Sequence, residues 1–184
     1  MLYLLGGTAR SGKSIIARRI LAERGIPFFC LDHLAIGAAN TIPQLQIDLD
    51  SDDESVGEKI WPLVKAMAKV IIKDNIPYLL EGASLQPRYA NELVYEFPTQ
   101  VYACFIGYAD TEIQRKFEQV KRYGGGPDDW MMQFDDGIVR KELERLKAVS
   151  ESLRQECQKF KLRYFETSKD FEKSVEDVVK FLVG

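Results

Sequence analysis

Near its amino end the chain reads Gly7-Thr8-Ala9-Arg10-Ser11-Gly12-Lys13-Ser14, and this stretch decides the fold. It meets every fixed position of the pattern G-x-x-x-x-G-K-[ST]. The apolar run from Leu2 to Leu5 before it predicts a buried parallel strand. The apolar face of residues 14–24 after it predicts a helix that ends at Gly25. A stretch of this pattern between a strand and a helix is typical of a phosphate-binding loop.

The spacing of the loop has a physical reason. Glycines allow the main chain to curl until successive N–H groups point at phosphate oxygens, and the following helix adds the positive end of its dipole. Lys13 is predicted to reach the β- and γ-phosphates, and the Ser14 hydroxyl to ligate Mg²⁺. We therefore predict that ATP with Mg²⁺ is bound by Gly7, Thr8, Ala9, Arg10, Ser11, Gly12, Lys13 and Ser14.

Composition indicates one globular domain spanning residues 1–184, with 46% hydrophobic and 29% charged residues. The net charge of −3 argues against nucleic acid or an anionic membrane as a partner. No apolar stretch approaches the roughly 18 residues of a membrane span, and no signal peptide precedes the loop. We therefore expect a cytoplasmic protein. The scattered cysteines Cys30, Cys104 and Cys157 indicate neither a disulfide framework nor a metal site.

Beyond the loop, apolar runs alternate with helical patterns. Strands are predicted at 26–31, 77–80, 100–106 and 162–165, and helices at 55–74, 110–122, 134–160 and 171–182. Residues 38–55 are predicted as loop or short helix. The alternation predicts an α/β protein, with a parallel sheet covered by helices on both faces and right-handed crossovers.

Two acidic residues fall where predicted strands end, which is where ligands bind in such sheets. Asp32 follows the second strand, where it would either orient an acceptor hydroxyl and take its proton or cap the next helix. Glu81 ends the third strand, where it would hold Mg²⁺, bind substrate, or simply lie on the surface.

A basic helix precedes a glycine run at residues 124–126. Arg115 and Arg122 are seven residues apart and share a face, so we predict that they belong to a lid, at about residues 115–136, and stabilise charge during phosphoryl transfer. The glycines would supply the hinge. Lys116 and Lys121 are better explained as residues on a solvated face of this helix.

These residues together resemble the adenylate-kinase-like (nucleoside-monophosphate-kinase-like) group of P-loop phosphotransferases. The resemblance covers the whole chain. Within this group, the chain is similar to small-molecule kinases such as 2-phosphoglycerate kinase, chloramphenicol phosphotransferase and shikimate kinase. It implies a five-stranded parallel sheet in the order 2-3-1-4-5 and a three-layer α/β/α P-loop fold. It also implies an acceptor-side acid at Asp32, a lid arginine at Arg115 or Arg122, and an adenine-side loop at Ser168, Lys169 and Asp170.

One departure concerns the acceptor. The stretch D-G-[FY]-P-R of true adenylate kinases is absent, and residues 81–88 read Glu-Gly-Ala-Ser-Leu-Gln-Pro-Arg. Arg88 would hold an anionic group of the acceptor or be a plain surface residue. The expected function is an ATP- and Mg²⁺-dependent kinase of a small molecule. The alternative is a nucleotide-binding regulatory protein with slow or no ATP hydrolysis.

Overall fold

In the computed structural model, which describes residues 1–123 and 130–184, five strands form one parallel sheet. They are β1 (Leu2–Gly7), β2 (Phe28–Cys30), β3 (Tyr78–Gly82), β4 (Val101–Gly107) and β5 (Arg163–Glu166). Their order, β2-β3-β1-β4-β5, confirms the one that the resemblance implies. Because β1 is central, the loop that follows it lies in the middle of the carboxyl edge of the sheet.

Helices cover both faces of the sheet. Within the described residues they are α1 (Lys13–Arg24), α2 (Leu31–Thr41), α3 (Asp53–Asp74), α4 (Pro87–Glu96), α5 (Ile113–Tyr123), α6 (Asp136–Phe160) and α7 (Phe171–Val183). Short 3₁₀ turns lie at Pro43–Leu45 and Trp130–Gln133. None of these helices has both the length and the hydrophobicity to cross a bilayer.

Successive side chains of β1 enter two different cores, as the pleat requires. Leu2 and Leu4 pack with residues of α2, α3, α4 and α6, whereas Tyr3 and Leu5 pack with residues of α1 and α7. The sheet is therefore the middle layer of three, which confirms the predicted α/β/α class.

The structure differs from the sequence-based expectation mainly between the strands. Residues 31–41 form α2, although only a loop or short helix was predicted for residues 38–55, and α4 was not predicted at all. Helix α4 is ten residues long and begins with Pro87, a favourable first helical residue. Its buried residues are too few to give a clear helical period: Pro87, Tyr89, Ala90 and Leu93.

A third, smaller core packs α5 against α6. It contains Tyr108 from the end of β4 together with Phe117, Val120, Met131, Val139, Leu143 and Leu146. This core fixes the described part of the predicted lid region to the body of the protein. The glycines proposed as a hinge, residues 124–126, lie outside the described residues, so the hinge stays a prediction.

Candidate active site

The phosphate loop joins β1 to the amino end of α1. Gly12 occupies the N-cap position with φ 102°, a left-handed conformation that favours glycine. The amides of Gly12, Lys13 and Ser14 have no hydrogen-bond acceptor within the described part of the chain. Such amides at a helix start, with the helix dipole behind them, form an anion-binding site.

The Lys13 side chain folds back over the phosphate loop. Lys13 is 7% exposed, and its Nζ donates to the carbonyl oxygens of Gly7 at 3.0 Å and Thr8 at 3.1 Å. The Ser14 side chain is exposed, and its Oγ lies 3.5 Å from Oε1 of Glu81. The two residues predicted to place Mg²⁺ are therefore neighbours in space.

Glu81 is buried at the carboxyl end of β3, with only 2% exposure. Burial chiefly raises the pKa of its carboxyl group, and the nearby charge of Asp32 adds to the rise. Lys13, the Cys30 thiol and the Ser14 hydroxyl oppose the rise. The alternative interpretation of Glu81 as a surface residue is therefore wrong.

Asp32 lies in the first turn of α2, exposed and beside the end of β3. Its Oδ1 is 3.4 Å from the point that a Cβ on Gly82 would occupy. The N-cap of α2 is Cys30, with no side-chain cap, so the alternative role of Asp32 as a helix cap is wrong. The charge of Asp32 raises the pKa of both Glu81 and Asp53, which places all three carboxylates in one electrostatic neighbourhood.

Asp53 and Arg145 belong to this neighbourhood, although sequence reasoning missed both. Asp53 lies in the first turn of α3, and burial raises the pKa of its carboxyl while Lys13 and Arg145 oppose the rise. Arg145 of α6 donates to both carboxylate oxygens of Glu142, at 2.8 and 2.6 Å. The only sequence signal for Asp53 was the acidic run at 50–54, which resembles an ordinary helix start.

A cavity of about 180 Å³ opens beside the phosphate loop, between α3 and α6. Its lining includes Gly7, Thr8, Asp53, Gln86, Arg145 and Glu156. A second cavity of about 470 Å³ shares Asp52 and Arg145 with the first but contains no residue of the phosphate loop. The smaller cavity is therefore the better candidate for an acceptor, since a transferred phosphoryl group must pass between the loop and its acceptor.

The segment after β5 lies on the side of the phosphate loop opposite to Asp32 and Glu81. The ring of Phe171 packs so closely on Gly12 that a Cβ there would lie 2.6 Å from it. Ser168 is buried, and its Oγ has no hydrogen-bond partner among the described residues. Asp170 caps α7 through the amide of Lys173, and the exposed Lys169 lies 3.7 Å from Asp110. The predicted adenine-side segment is thus adjacent to the phosphate loop, on the side away from Asp32 and Glu81.

The three arginines that were predicted to contact the phosphoryl group or the acceptor, Arg115, Arg122 and Arg88, do not lie together. Arg115 is exposed, and its Nη2 lies 3.4 Å from the carbonyl of Lys169, on the predicted adenine side. Arg122 is exposed at the end of α5, with its guanidinium over the ring of Tyr123. Arg88 donates to Glu54 at 2.5 Å and to the Tyr89 hydroxyl at 3.1 Å, and it lines neither cavity.

Lys116 is not on a solvated helix face, which corrects the sequence-based interpretation. Its Nζ donates to the carbonyl of Arg10 at 3.0 Å and lies 4.2 Å from the ring centre of Tyr108. The Tyr108 hydroxyl donates to the carbonyl of Ala9 at 3.0 Å. Burial, with a smaller contribution from Arg10, lowers the pKa of Lys116 to about 8. Helix α5 thus contacts the phosphate loop through the hydrogen bond from Lys116 to Arg10.

Lys121, by contrast, makes a surface ion pair with Asp136 at 2.6 Å.

The sequence matches no protein-family model and no curated protein. Solved structures, however, are similar over almost the whole chain. Shikimate kinase from Bacteroides thetaiotaomicron superposes with a TM-score of 0.62 at 13% identity, covering 99% of this chain and 98% of the kinase. A gluconokinase from Sinorhizobium meliloti 1021 superposes with a TM-score of 0.56 at 17% identity, covering 98% and 90%.

A third structure, shikimate kinase from Acinetobacter baumannii in complex with shikimate, gives a TM-score of 0.55 at 13% identity, covering 97% of this chain and 88% of the other. Identities this low bear on the fold alone. Together with the strand order and the phosphate loop, they show that the chain has the three-layer fold of the P-loop small-molecule kinases of the nucleoside-monophosphate-kinase-like group.

Proposed function

We propose that the chain is an ATP- and Mg²⁺-dependent phosphotransferase that moves the γ-phosphate to a hydroxyl or phosphate of a small molecule. The observation that carries the proposal is the position of the phosphate loop between two unlike neighbours. On one side lie carboxylates and a cavity, and on the other lies the segment that follows β5. A triphosphate on the loop would extend between a nucleoside and an acceptor.

For a hydroxyl acceptor, its oxygen attacks the γ-phosphorus while the bond to the β–γ bridging oxygen breaks and ADP leaves. The hydroxyl proton passes to the carboxylate of Asp32, which takes the part of the general base. Lys13 and the loop amides stabilise the negative charge that spreads over the phosphoryl oxygens. In this proposal Arg115 and Arg122 are the lid arginines, and Ser168, Lys169 and Asp170 border the adenine.

The residues present fit a magnesium ion at the acidic side of the loop. Mg²⁺ prefers hard oxygen ligands, and sites with phosphate need only one or two groups from the protein. The Ser14 hydroxyl and the buried Glu81 carboxylate would hold it, since a cation would compensate a carboxylate whose pKa is raised by burial. When bound, the ion neutralises charge on the polyphosphate.

The experiment that tests the proposal is incubation of the protein with ATP labelled at the γ-phosphate, MgCl₂ and a small-molecule extract. Label on a metabolite, dependent on protein and Mg²⁺, is the expected result. Label released only as inorganic phosphate, or no release together with nucleotide binding, would favour the regulatory nucleotide-binding protein instead. The Asp32→Asn variant is the control, since its label transfer should fall to background.

A further inference from the structure

The charge of the cavity between α3 and α6 restricts the acceptor, an inference that rests on the proposed function. The cavity is lined by Gly7 and Thr8 of the phosphate loop and also by Glu156 of α6. Its volume of about 180 Å³ corresponds to about six water molecules, at about 30 Å³ each. A polyol of three to six carbons is therefore of suitable size.

Four carboxylates and one guanidinium line this cavity. Two of the carboxylates are already engaged: Asp52 caps α3 by accepting from the Ser55 amide at 2.8 Å, and Glu54 accepts from Arg88 at 2.5 Å. The other two, Asp53 and Glu156, have no hydrogen-bond or ion-pair partner within residues 1–123 and 130–184. Carboxylates therefore outnumber cations in the lining of this cavity by four to one.

Cations lie near both carboxylates, but none forms an ion pair with Asp53 or Glu156 within the described residues. Arg145 is held by both oxygens of Glu142, and Arg88 is held by Glu54. Burial raises the pKa of Asp53 although Lys13 and Arg145 act in the opposite direction, and it raises the pKa of Glu156 although Arg88 and Lys159 oppose it. An anionic acceptor would add like charge to this space, whereas a cation would relieve it.

We propose that the acceptor is a small alcohol bearing a protonated amine, whose ammonium group lies beside Glu156 in this carboxylate-lined cavity. A hydroxyl of the same molecule points to the phosphate loop and receives the phosphoryl group, giving up its proton to Asp32. The ammonium group keeps its protons throughout and forms no bond to phosphorus. The product is an O-phosphorylated amino alcohol together with ADP.

Calorimetry on the protein loaded with Mg²⁺ and a non-hydrolysable ATP analogue tests the inference with probes matched in size. The three-carbon set is 3-amino-1,2-propanediol, glycerol and glycerate, and the six-carbon set is glucosamine, glucose and gluconate. At least one amine should bind about tenfold more tightly than its neutral and anionic counterparts, and added NaCl should weaken that binding. Glu156→Gln should lower the affinity for the amine about tenfold and leave that for the neutral polyol unchanged.

Glu151→Gln is the matched control, because Glu151 is an exposed residue of the same helix that does not line the cavity. Its amine affinity should equal that of the wild type. Tighter binding of glycerate or gluconate, or no binding of either amine at millimolar concentration by the nucleotide-loaded protein, would overturn the inference and leave the proposed function standing. Failure to bind the nucleotide analogue would instead overturn the proposed function and the inference with it.

Discussion

Among single residues, Asp32 is the one whose substitution we expect to separate nucleotide binding from phosphoryl transfer. It is exposed beside Gly82, does not cap α2, and lies outside the phosphate loop. Asp32→Asn should therefore keep the affinity for MgATP within about twofold while phosphoryl transfer falls by about 10²–10⁴, the usual contribution of a general base. Equilibrium nucleotide binding and label transfer measure the two effects. Asp53→Asn is the comparison, and a larger loss of transfer in that variant would assign the base to Asp53.

The buried Glu81 carboxylate should lower the stability of the ligand-free protein at neutral pH. Its pKa is raised above the unfolded value of 4.5 by burial and by Asp32, so its contribution to stability is complete below pH 4.5 and is lost as the pH rises through the folded pKa. Glu81→Gln should therefore raise the melting temperature at pH 7.5 without ligand, and the gain should disappear near pH 4. Thermal unfolding at the two pH values measures this. An equal or lower melting temperature of the variant at pH 7.5 would contradict the assignment.

At the scale of elements, the contact between α3 and the segment after β3 depends on Gly57. A Cβ at this position would lie 2.2 Å from the carbonyl oxygen of Ser84, which is main chain and cannot rotate away. Gly57→Ala should lower the free energy of unfolding by about 1–3 kcal/mol, as overpacking does. Gly37→Ala is the control, because nothing lies within 4 Å of its Cβ and it should stabilise α2 by about 0.5–1 kcal/mol. Urea unfolding of both variants gives the comparison.

Helix α5 adds a pH dependence through Lys116. The pKa of Lys116 falls from 10.5 to about 8 on folding, so the unfolded chain binds more protons between these values. The contribution of this lysine is complete above pH 10.5 and is lost as the pH falls through about 8. The difference in unfolding free energy between the wild type and Lys116→Met should therefore shift in favour of the wild type from pH 7.5 to pH 9.5. Lys121→Met, at the surface, should show no such shift.

The elements that sequence reasoning located well are those with a strong local signal. All five strands and the helices α1, α3, α5, α6 and α7 lie within a few residues of their predicted positions, because continuous apolar runs and long helical periods mark them. Helix α4 was not predicted because it is only ten residues long and has too few buried apolar residues to show a helical period. Lys116 was misplaced because its contact is with Arg10, far away in sequence, and the pattern of its own helix contains no sign of it.

At the scale of the whole molecule, nucleotide binding should stabilise the fold. Ligand at one hundred times its dissociation constant adds about 2.7 kcal/mol, which for a chain of this size is about 5–10 °C in melting temperature. Lys13→Ala should greatly reduce the shift produced by a magnesium complex of a non-hydrolysable ATP analogue, because it removes the loop's charged donor. Arg18→Ala, an exposed position of the same helix, should retain the shift. An undiminished shift in the Lys13 variant would remove the loop from nucleotide binding.

The site as a whole was predictable only in part. The phosphate loop is a contiguous motif, and Asp32 and Glu81 follow predicted strands, so a parallel sheet brings them together. Asp53 and Arg145 reach the same place from the starts and middles of separate helices, and no rule of local spacing connects residues 92 positions apart in sequence. Their meeting depends on how α3 and α6 pack over the sheet.

Different residues of helix α6 contact the phosphate loop and line the cavity. Ser150 turns inward, where its hydroxyl lies 2.8 Å from that of Thr8, while Val149, Ser152 and Glu156 border the cavity. The wall that would choose a metabolite is thus built from positions that do not anchor the loop. If the chain is the proposed kinase, exchanging these three side chains should alter its choice of acceptor, by selection or by design, without changing the phosphate loop.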